Sequence, residues 1–204
     1  MMKDILNLGP VMPVIVIDEA AKAVPLAEAL LAGGMRTAEV TLRTPAALDA
    51  IEAIATHCPD ITVGAGTIRT PEQARAVSNA GGQFAVSPGS TAAVLAGCAD
   101  ASLPLLPGAA TVSEMMRLFE QGFSELKFFP ATAAGGLPFL KSLASPLADI
   151  SFCPTGGITP ETAPDWLALS NIMCVGGSWV APQGLIADAD FAEITARARA
   201  ASSL

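Results

Sequence analysis

The chain has 204 residues, 51% of them hydrophobic and 15% charged, with a formal net charge of −8 at pH 7. That length suits one well-packed domain. An acidic chain without a basic cluster is a poor nucleic-acid binder, because that affinity rests on Lys and Arg neutralising phosphates. The start, MMKDILNLGP, has one lysine, an early Asp4 and no small-residue cleavage site. A signal peptide is therefore not expected, and a short amphipathic helix is predicted over 2–8. No apolar run approaches the roughly 20 residues of a membrane span. The expected protein is soluble and cytoplasmic, with no membrane partner and with apolar surface left for subunit contacts.

Strand-like runs alternate with alanine-rich helical stretches from end to end. A strand over 14–17 (VIVI) precedes a helix over 19–32 that stops before Gly33. A strand over 37–42 (TAEVTL) precedes a helix over 45–57 opened by Pro45. The run 61–66 (ITVGAG) leads to a helix over 71–80, bounded by Pro71 and Gly81. QFAVS (83–87) is followed by a helix over 91–99, and LPLLP (103–107) by one over 112–121 before Gly122. LKFFP (126–130) precedes a helix over 137–144, and ISFCP (150–154) one over 160–169 that starts at Pro160. The last strand is IMCVG (172–176) and the last helix 188–201. Eight strand–helix units predict an α/β fold of the (β/α)8 TIM-barrel type, as a single domain over 1–204. An open doubly wound sheet is the alternative.

In such a barrel the chemistry collects at the C-terminal strand ends. Those ends carry Glu39 and Arg43, Thr67, Ser87, Gly108, Lys127, Thr155-Gly156-Gly157 and Gly176-Gly177-Ser178. The only histidine, His57, lies at a helix end, and Cys58, Cys98, Cys153 and Cys174 form no CxxC pair. Free buried thiols in a reducing compartment are expected, and neither a metal site nor a cofactor is.

Lys127 is one of four lysines and stands between Leu126 and Phe128. Alternation along a strand turns Leu126 and Phe128 to the helices and Lys127 and Phe129 inward. Forming a neutral amine at pH 7 costs an ordinary lysine about 4.6 kcal/mol. Burial among apolar groups lowers that cost, and a depressed lysine is a nucleophile that forms Schiff bases. A strand-end lysine that reaches out to solvent is the alternative. In EVTLR, Glu39, Thr41 and Arg43 fall on one face, an expensive inward placement unless it serves a site. Glu39 would lie deeper and Arg43 nearer the rim. A structural ion pair of Glu39 with Arg43 or Lys127 is the competing explanation.

CPTGGI (153–158) and CVGGS (174–178) follow the seventh and eighth strands, where barrels often bind phosphate. Their glycines let backbone N–H groups converge on an anion, and the Thr155 or Ser178 hydroxyl can join them. Tight turns requiring positive φ would explain the same pairs.

The motifs EVTLRT, GAGT, SPG, KFFPA, CPTGGI and GGSW, in this order and spacing, closely resemble the 2-keto-3-deoxy-6-phosphogluconate aldolases, grouped with the 4-hydroxy-2-oxoglutarate aldolases. The resemblance runs from about residue 9 to 200 and implies a (β/α)8 barrel, a homotrimer and a metal-independent class I aldolase. The products would be pyruvate and glyceraldehyde 3-phosphate. It further implies that Lys127 forms the Schiff base and Glu39 is the acid/base. Arg43 and Thr67 would hold the substrate carboxylate, and Thr155, Gly156, Gly157, Gly176, Gly177 and Ser178 the phosphate. Pro88 and Phe129 would line the pocket. Family members often carry Glu and Asn after KFFPA, where this chain has Thr132, Ala133 and Ala134. A phosphosugar isomerase or epimerase, with Glu39 as base, and a non-catalytic phosphosugar-binding barrel are the other functions these residues would suit.

Overall fold

The structure, a computed structural model, describes residues 2–204. Among the described residues, the alternating pattern forms nine strand segments and ten α-helices. Helix α1 (Met2–Leu6) is followed by β1 (Val11–Ile15), a 3-10 turn (Ala20–Lys22) and α2 (Ala23–Ala32). Next come β2 (Thr37–Thr41), α3 (Ala47–His57), β3 (Thr62–Gly66), α4 (Pro71–Asn79), β4 (Ala85–Val86) and α5 (Ala92–Asp100). Then follow β5 (Leu105–Leu106), β6 (Gly108–Ala109), α6 (Val112–Glu120), β7 (Glu125–Phe128) and α7 (Gly136–Leu143). The chain ends with β8 (Ser151–Pro154), α8 (Ala163–Leu167), β9 (Val175–Gly177), α9 (Gln183–Ala187) and α10 (Phe191–Ser202).

All pairings are parallel. One sheet has the order β5-β4-β3-β2-β1-β9 and the other β6-β7-β8. The predicted fifth strand is broken at Pro107, which has no N–H to give the ladder. Its carbonyl still accepts from the Lys127 N–H at 2.9 Å. Between β8 and the β9 region only the isolated bridges Phe152↔Ile172 and Thr155↔Gly176 form.

Several boundaries differ from the sequence expectation. β1 begins three residues early, because Val11, Met12 and Pro13 pair with β9 while Val14 and Ile15 pair with β2. It stops at Ile15 because the carbonyls of Ile15 and Ile17 accept from the Thr41 and Thr44 hydroxyls instead of a strand. The last helix, expected over 188–201, is α10 and starts at Phe191, because Ala189 takes φ 55°; the short α9 before it was not expected. Pro45 and Pro160 precede their helices rather than opening them. Three of the helix starts are fixed by a side chain. Thr70, Thr91 and Thr111 each accept a backbone N–H three residues on, and Glu114 completes a capping box with Thr111.

Alternation divides the core in two. Ile15, Val40, Val63, Leu126, Phe128 and Phe152 join the helices in one large buried cluster. The opposite strand faces contribute Met12, Phe84, Val86, Leu106, Cys153 and Cys174 to a second, which Met2 and Leu6 of α1 cover. Lys127 and Glu39 belong to this second face.

All four cysteines are free and buried. Burial pushes the Cys98 thiol up to about 11, from 9.0 when free. Cys174 is held well above the usual thiol range by its contact with the Cys153 sulfur, then by burial and the Glu39 carboxylate. A raised folded-state value means that the unfolded chain loses its proton first. The stabilisation from Cys98 is therefore complete below pH 9.0 and lost as pH rises to about 11. Urea unfolding midpoints across that interval are expected to decline less steeply for Cys98→Ala than for the native chain.

Candidate active site

Lys127 lies in β7, on the face opposite Leu126 and Phe128, and is 4% exposed. Its neighbours in register are Gly108 of β6 and Cys153 of β8. Glu39 lies in β2 between Ala38 and Val40, which face the helix-side core, and is 2% exposed. The Lys127 Nζ donates to Glu39 Oε1 at 3.2 Å, across from one sheet to the other. The same nitrogen is 5.4 Å from the centre of the Phe129 ring, within range of a cation–π attraction. A lysine reaching out to solvent is thereby excluded. Two charges removed from water at this cost are a weak source of stability. They do provide an amine with a proton acceptor at hydrogen-bond distance, which suits nucleophilic attack followed by proton transfer.

Arg43 is not on the strand. β2 ends at Thr41, and the Arg43 N–H turns back to the Thr41 carbonyl at 2.7 Å. Thr41 is not an open inward group either, since its hydroxyl donates to the Ile15 carbonyl at 2.8 Å. The strand-face grouping of Glu39, Thr41 and Arg43 is corrected on both points. The exposed Arg43 Nε nevertheless donates to Thr67 Oγ1 at 3.3 Å, so this predicted pair is brought together. Thr67 takes φ 64° immediately after β3, a conformation that costs a threonine roughly 1–2 kcal/mol and is common at functional sites.

The two glycine pairs differ in kind. Gly156 and Gly157 have φ 104° and 78° and form a left-handed turn after β8. Gly176 and Gly177 lie within β9, paired with Met12 and Pro13, so the turn expected there is absent. Space is the reason for these two glycines. A Cβ on Gly176 would overlap the Thr155 hydroxyl, and one on Gly177 would meet the Trp179 ring at 2.7 Å. Thr155 is 8% exposed and its Oγ1 has no hydrogen-bond partner, which leaves a buried polar atom open to a ligand. Ser178 is exposed at the end of β9. Half-buried Pro88 presents its carbonyl to Gly108, the register partner of Lys127. Phe129 is half-buried beside Gly156.

Further contacts escaped sequence reasoning. The Gly157 backbone leaves space for the Thr132 side chain, and the Thr132 N–H donates to the Gly156 carbonyl at 3.1 Å. Ser90 donates to the Gly108 carbonyl at 2.8 Å. These contacts join residues 18 or more positions apart, for which a single sequence carries no signal. A surface cavity of about 370 Å³ lined by Pro160, Glu161, Trp179, Glu193, Arg197 and Leu204 contains none of the predicted site residues.

The family model for KDPG and KHG aldolase matches residues 2–197. The KHG/KDPG aldolase of Escherichia coli K12 is 49% identical over 199 residues, covering 98% of this chain and 93% of its own. The KDPG aldolase of Legionella pneumophila, with pyruvate captured at low pH as a covalent carbinolamine intermediate, superposes with a TM-score of 0.96 at 45% identity. That match covers 99% of this chain and 98% of the Legionella chain. The 2-keto-3-deoxy-6-phosphogluconate aldolase of Zymomonas mobilis ZM4, with 3-phosphoglycerate, gives 0.93 at 47% identity over 99% and 95%. The chain belongs to the KDPG and KHG aldolase family.

Proposed function

We propose that this protein is a class I aldolase that cleaves 2-keto-3-deoxy-6-phosphogluconate to pyruvate and glyceraldehyde 3-phosphate through a Schiff base on Lys127. The observation that carries this is the buried Lys127 amine 3.2 Å from the Glu39 carboxylate. The covalent pyruvate carbinolamine of the Legionella relative supports an amine nucleophile. The E. coli relative's joint KHG and KDPG name supports 4-hydroxy-2-oxoglutarate, cleaved to pyruvate and glyoxylate, as a second substrate. The first reaction is the carbon–carbon cleavage of the Entner–Doudoroff pathway.

Glu39 takes a proton from the Lys127 ammonium, and the free amine attacks the C2 ketone to give a carbinolamine. Glu39 returns that proton to the carbinolamine hydroxyl, which leaves as water, giving the iminium and restoring the carboxylate. Glu39 then accepts the C4 hydroxyl proton, the C3–C4 bond breaks, and its electron pair becomes the enamine as the aldehyde leaves. The same carboxylic acid returns its proton to C3, and water hydrolyses the iminium to pyruvate and the amine. Arg43, steadied by Thr67, pairs with the pyruvate carboxylate, and the guanidinium fork matches that group bidentately. Thr155, Gly156, Gly157, Gly176, Gly177 and Ser178 receive the phosphate. The unpartnered Thr155 hydroxyl supports this, as does the left-handed Gly156-Gly157 turn. Pro88 and Phe129 line the pocket.

The two sheets are read as one (β/α)8 barrel, supported by the bridges between β8 and β9 and by the continuity of β5 and β6 across Pro107. A single domain over 1–204 is supported by a core cluster that runs from Val11 to Ala201. The exposed Met116 and Phe119 of α6 support a homotrimer in which further copies cover apolar surface. Four buried free thiols support a reducing, cytoplasmic setting.

Borohydride in the presence of pyruvate is expected to fix an adduct on Lys127. Lys127→Ala should fold, show no adduct and lose turnover; a folded, active Lys127→Ala, or no adduct on the native chain, refutes the Schiff base and leaves isomerase chemistry. Arg43→Lys is expected to raise KM for pyruvate about 10-fold or more in the condensation direction; an unchanged KM refutes the carboxylate role. Ser178→Ala should weaken phosphorylated aldehydes and spare unphosphorylated ones, and equal losses on both would misplace the phosphate site.

A further inference from the structure

We infer that Gly66 is a positioning residue for the reaction: its missing side chain is the slot that holds the Glu39 carboxylate against Lys127. This rests on the proposed proton-transfer role of Glu39.

β2 and β3 pair in register, with Glu39 opposite Gly64 and Thr41 opposite Gly66. Gly64 and Gly66 share one face, the same inward face as Glu39, while Val63 and Ala65 face the helices. The face of β3 beside Glu39 therefore carries no side chain over two successive inward positions. The Glu39 side chain fills the second of them. The three nearest atoms to a Cβ built on Gly66 are the Oε1, Cδ and Cγ of Glu39, and the Oε1 would overlap it.

The backbone rules out the usual reason for a glycine. Gly66 is not at positive φ, whereas the next residue, Thr67, is. The chain thus places threonine where a glycine would be easier and glycine where the backbone conformation would admit any residue. What Gly66 supplies is volume.

That volume decides where a proton can go. Oε1 is both the atom over Gly66 and the atom bonded to the Lys127 Nζ. Around it lie Lys127 and the Cys174 thiol, the titratable groups facing the carboxylate, and the apolar side chains of the inner cluster. A carboxylate pushed off Gly66 loses Lys127 and gains no comparable partner. The side chain that must move is flexible at its far end, so alanine at this position is expected to disturb catalysis much more than folding.

The test compares the native chain, Gly66→Ala, Glu39→Gln, Glu39→Asp and the double variant Glu39→Asp/Gly66→Ala. Gly66→Ala is expected to stay folded, with its unfolding midpoint lowered by no more than about 10 °C, and to lower kcat for cleavage about 100-fold. KM for pyruvate should stay within about 3-fold, the carboxylate grip being elsewhere. Borohydride should still trap pyruvate on Lys127, while exchange of the pyruvate methyl protons with deuterated water falls in step with kcat. Aspartate is one methylene shorter and withdraws from the slot, so adding Gly66→Ala to Glu39→Asp should cause no further loss. The inference is overturned if Gly66→Ala stays within about 3-fold of native kcat while Glu39→Gln is inactive. It is also overturned if the Gly66→Ala loss recurs in full in the Glu39→Asp background, or if the substitution unfolds the chain in both backgrounds. Each of those results places the glycine's role in the sheet and leaves Glu39 as the proposed acid/base. Full activity of Glu39→Gln instead refutes the acid/base assignment itself.

Discussion

The buried contact between Lys127 and Glu39 is the constraint to which the rest of the molecule answers. It joins β7 of the three-stranded sheet to β2 of the six-stranded one, residues 88 positions apart in sequence. Neither charge could stay in this interior alone, because an unpaired buried ion costs several kcal/mol. The surroundings are arranged for the pair. Leu126, Phe128, Ala38 and Val40 carry the packing on the helix side. The inward side is thereby left to two ionisable groups over a layer of Met12, Phe84, Val86, Leu106 and two thiols. As a source of stability this arrangement is poor, and a well-packed apolar pair would serve as well. Its proposed use is chemical: an amine kept from bulk water and a carboxylate within reach of its proton.

Around this pair lie the two groups of residues proposed to hold anions. On the β2 and β3 side, a long exposed guanidinium is steadied by a threonine in left-handed conformation. On the β8 and β9 side, a buried hydroxyl without a partner lies beside a left-handed glycine turn. In the proposed site the first would act as a guanidinium fork and the second as a backbone cradle. A substrate with a carboxylate next to the reacting ketone and a phosphate at its far end matches that division. The loop after β7 contributes too, since Thr132 rests on Gly157 and bonds to Gly156. The small residues that follow KFFPA here thus adjoin the phosphate side of the proposed pocket.

The inward direction of Lys127 was legible because strand alternation is strict and its neighbours are large and apolar. The pairing of Arg43 with Thr67 was legible only through the family motifs. Alternation alone would have carried Arg43 along a strand that ends two residues earlier. The strand ends were poorly legible for the same reason. Thr41 and Thr44 terminate β1 from another part of the chain, and nothing local to VIVI announces it. The glycines were the least legible. A glycine for a left-handed turn (Gly156, Gly157) and a glycine that yields its volume to a neighbour (Gly66, Gly176) look alike in a sequence.

What the sequence determined by itself was everything governed by short-range rules. Periodicity gave the α/β alternation, side-chain alternation gave the inward lysine and glutamate, and proline marked the start of α4 at Pro71. What only the tertiary structure decided was which distant groups meet: the amine with its carboxylate, Thr155 with Gly176, and the Glu39 carboxylate with the gap at Gly66. Those meetings depend on strand order and register, fixed by packing of the whole core, and a local pattern of residues has no means of encoding a distance across a sheet.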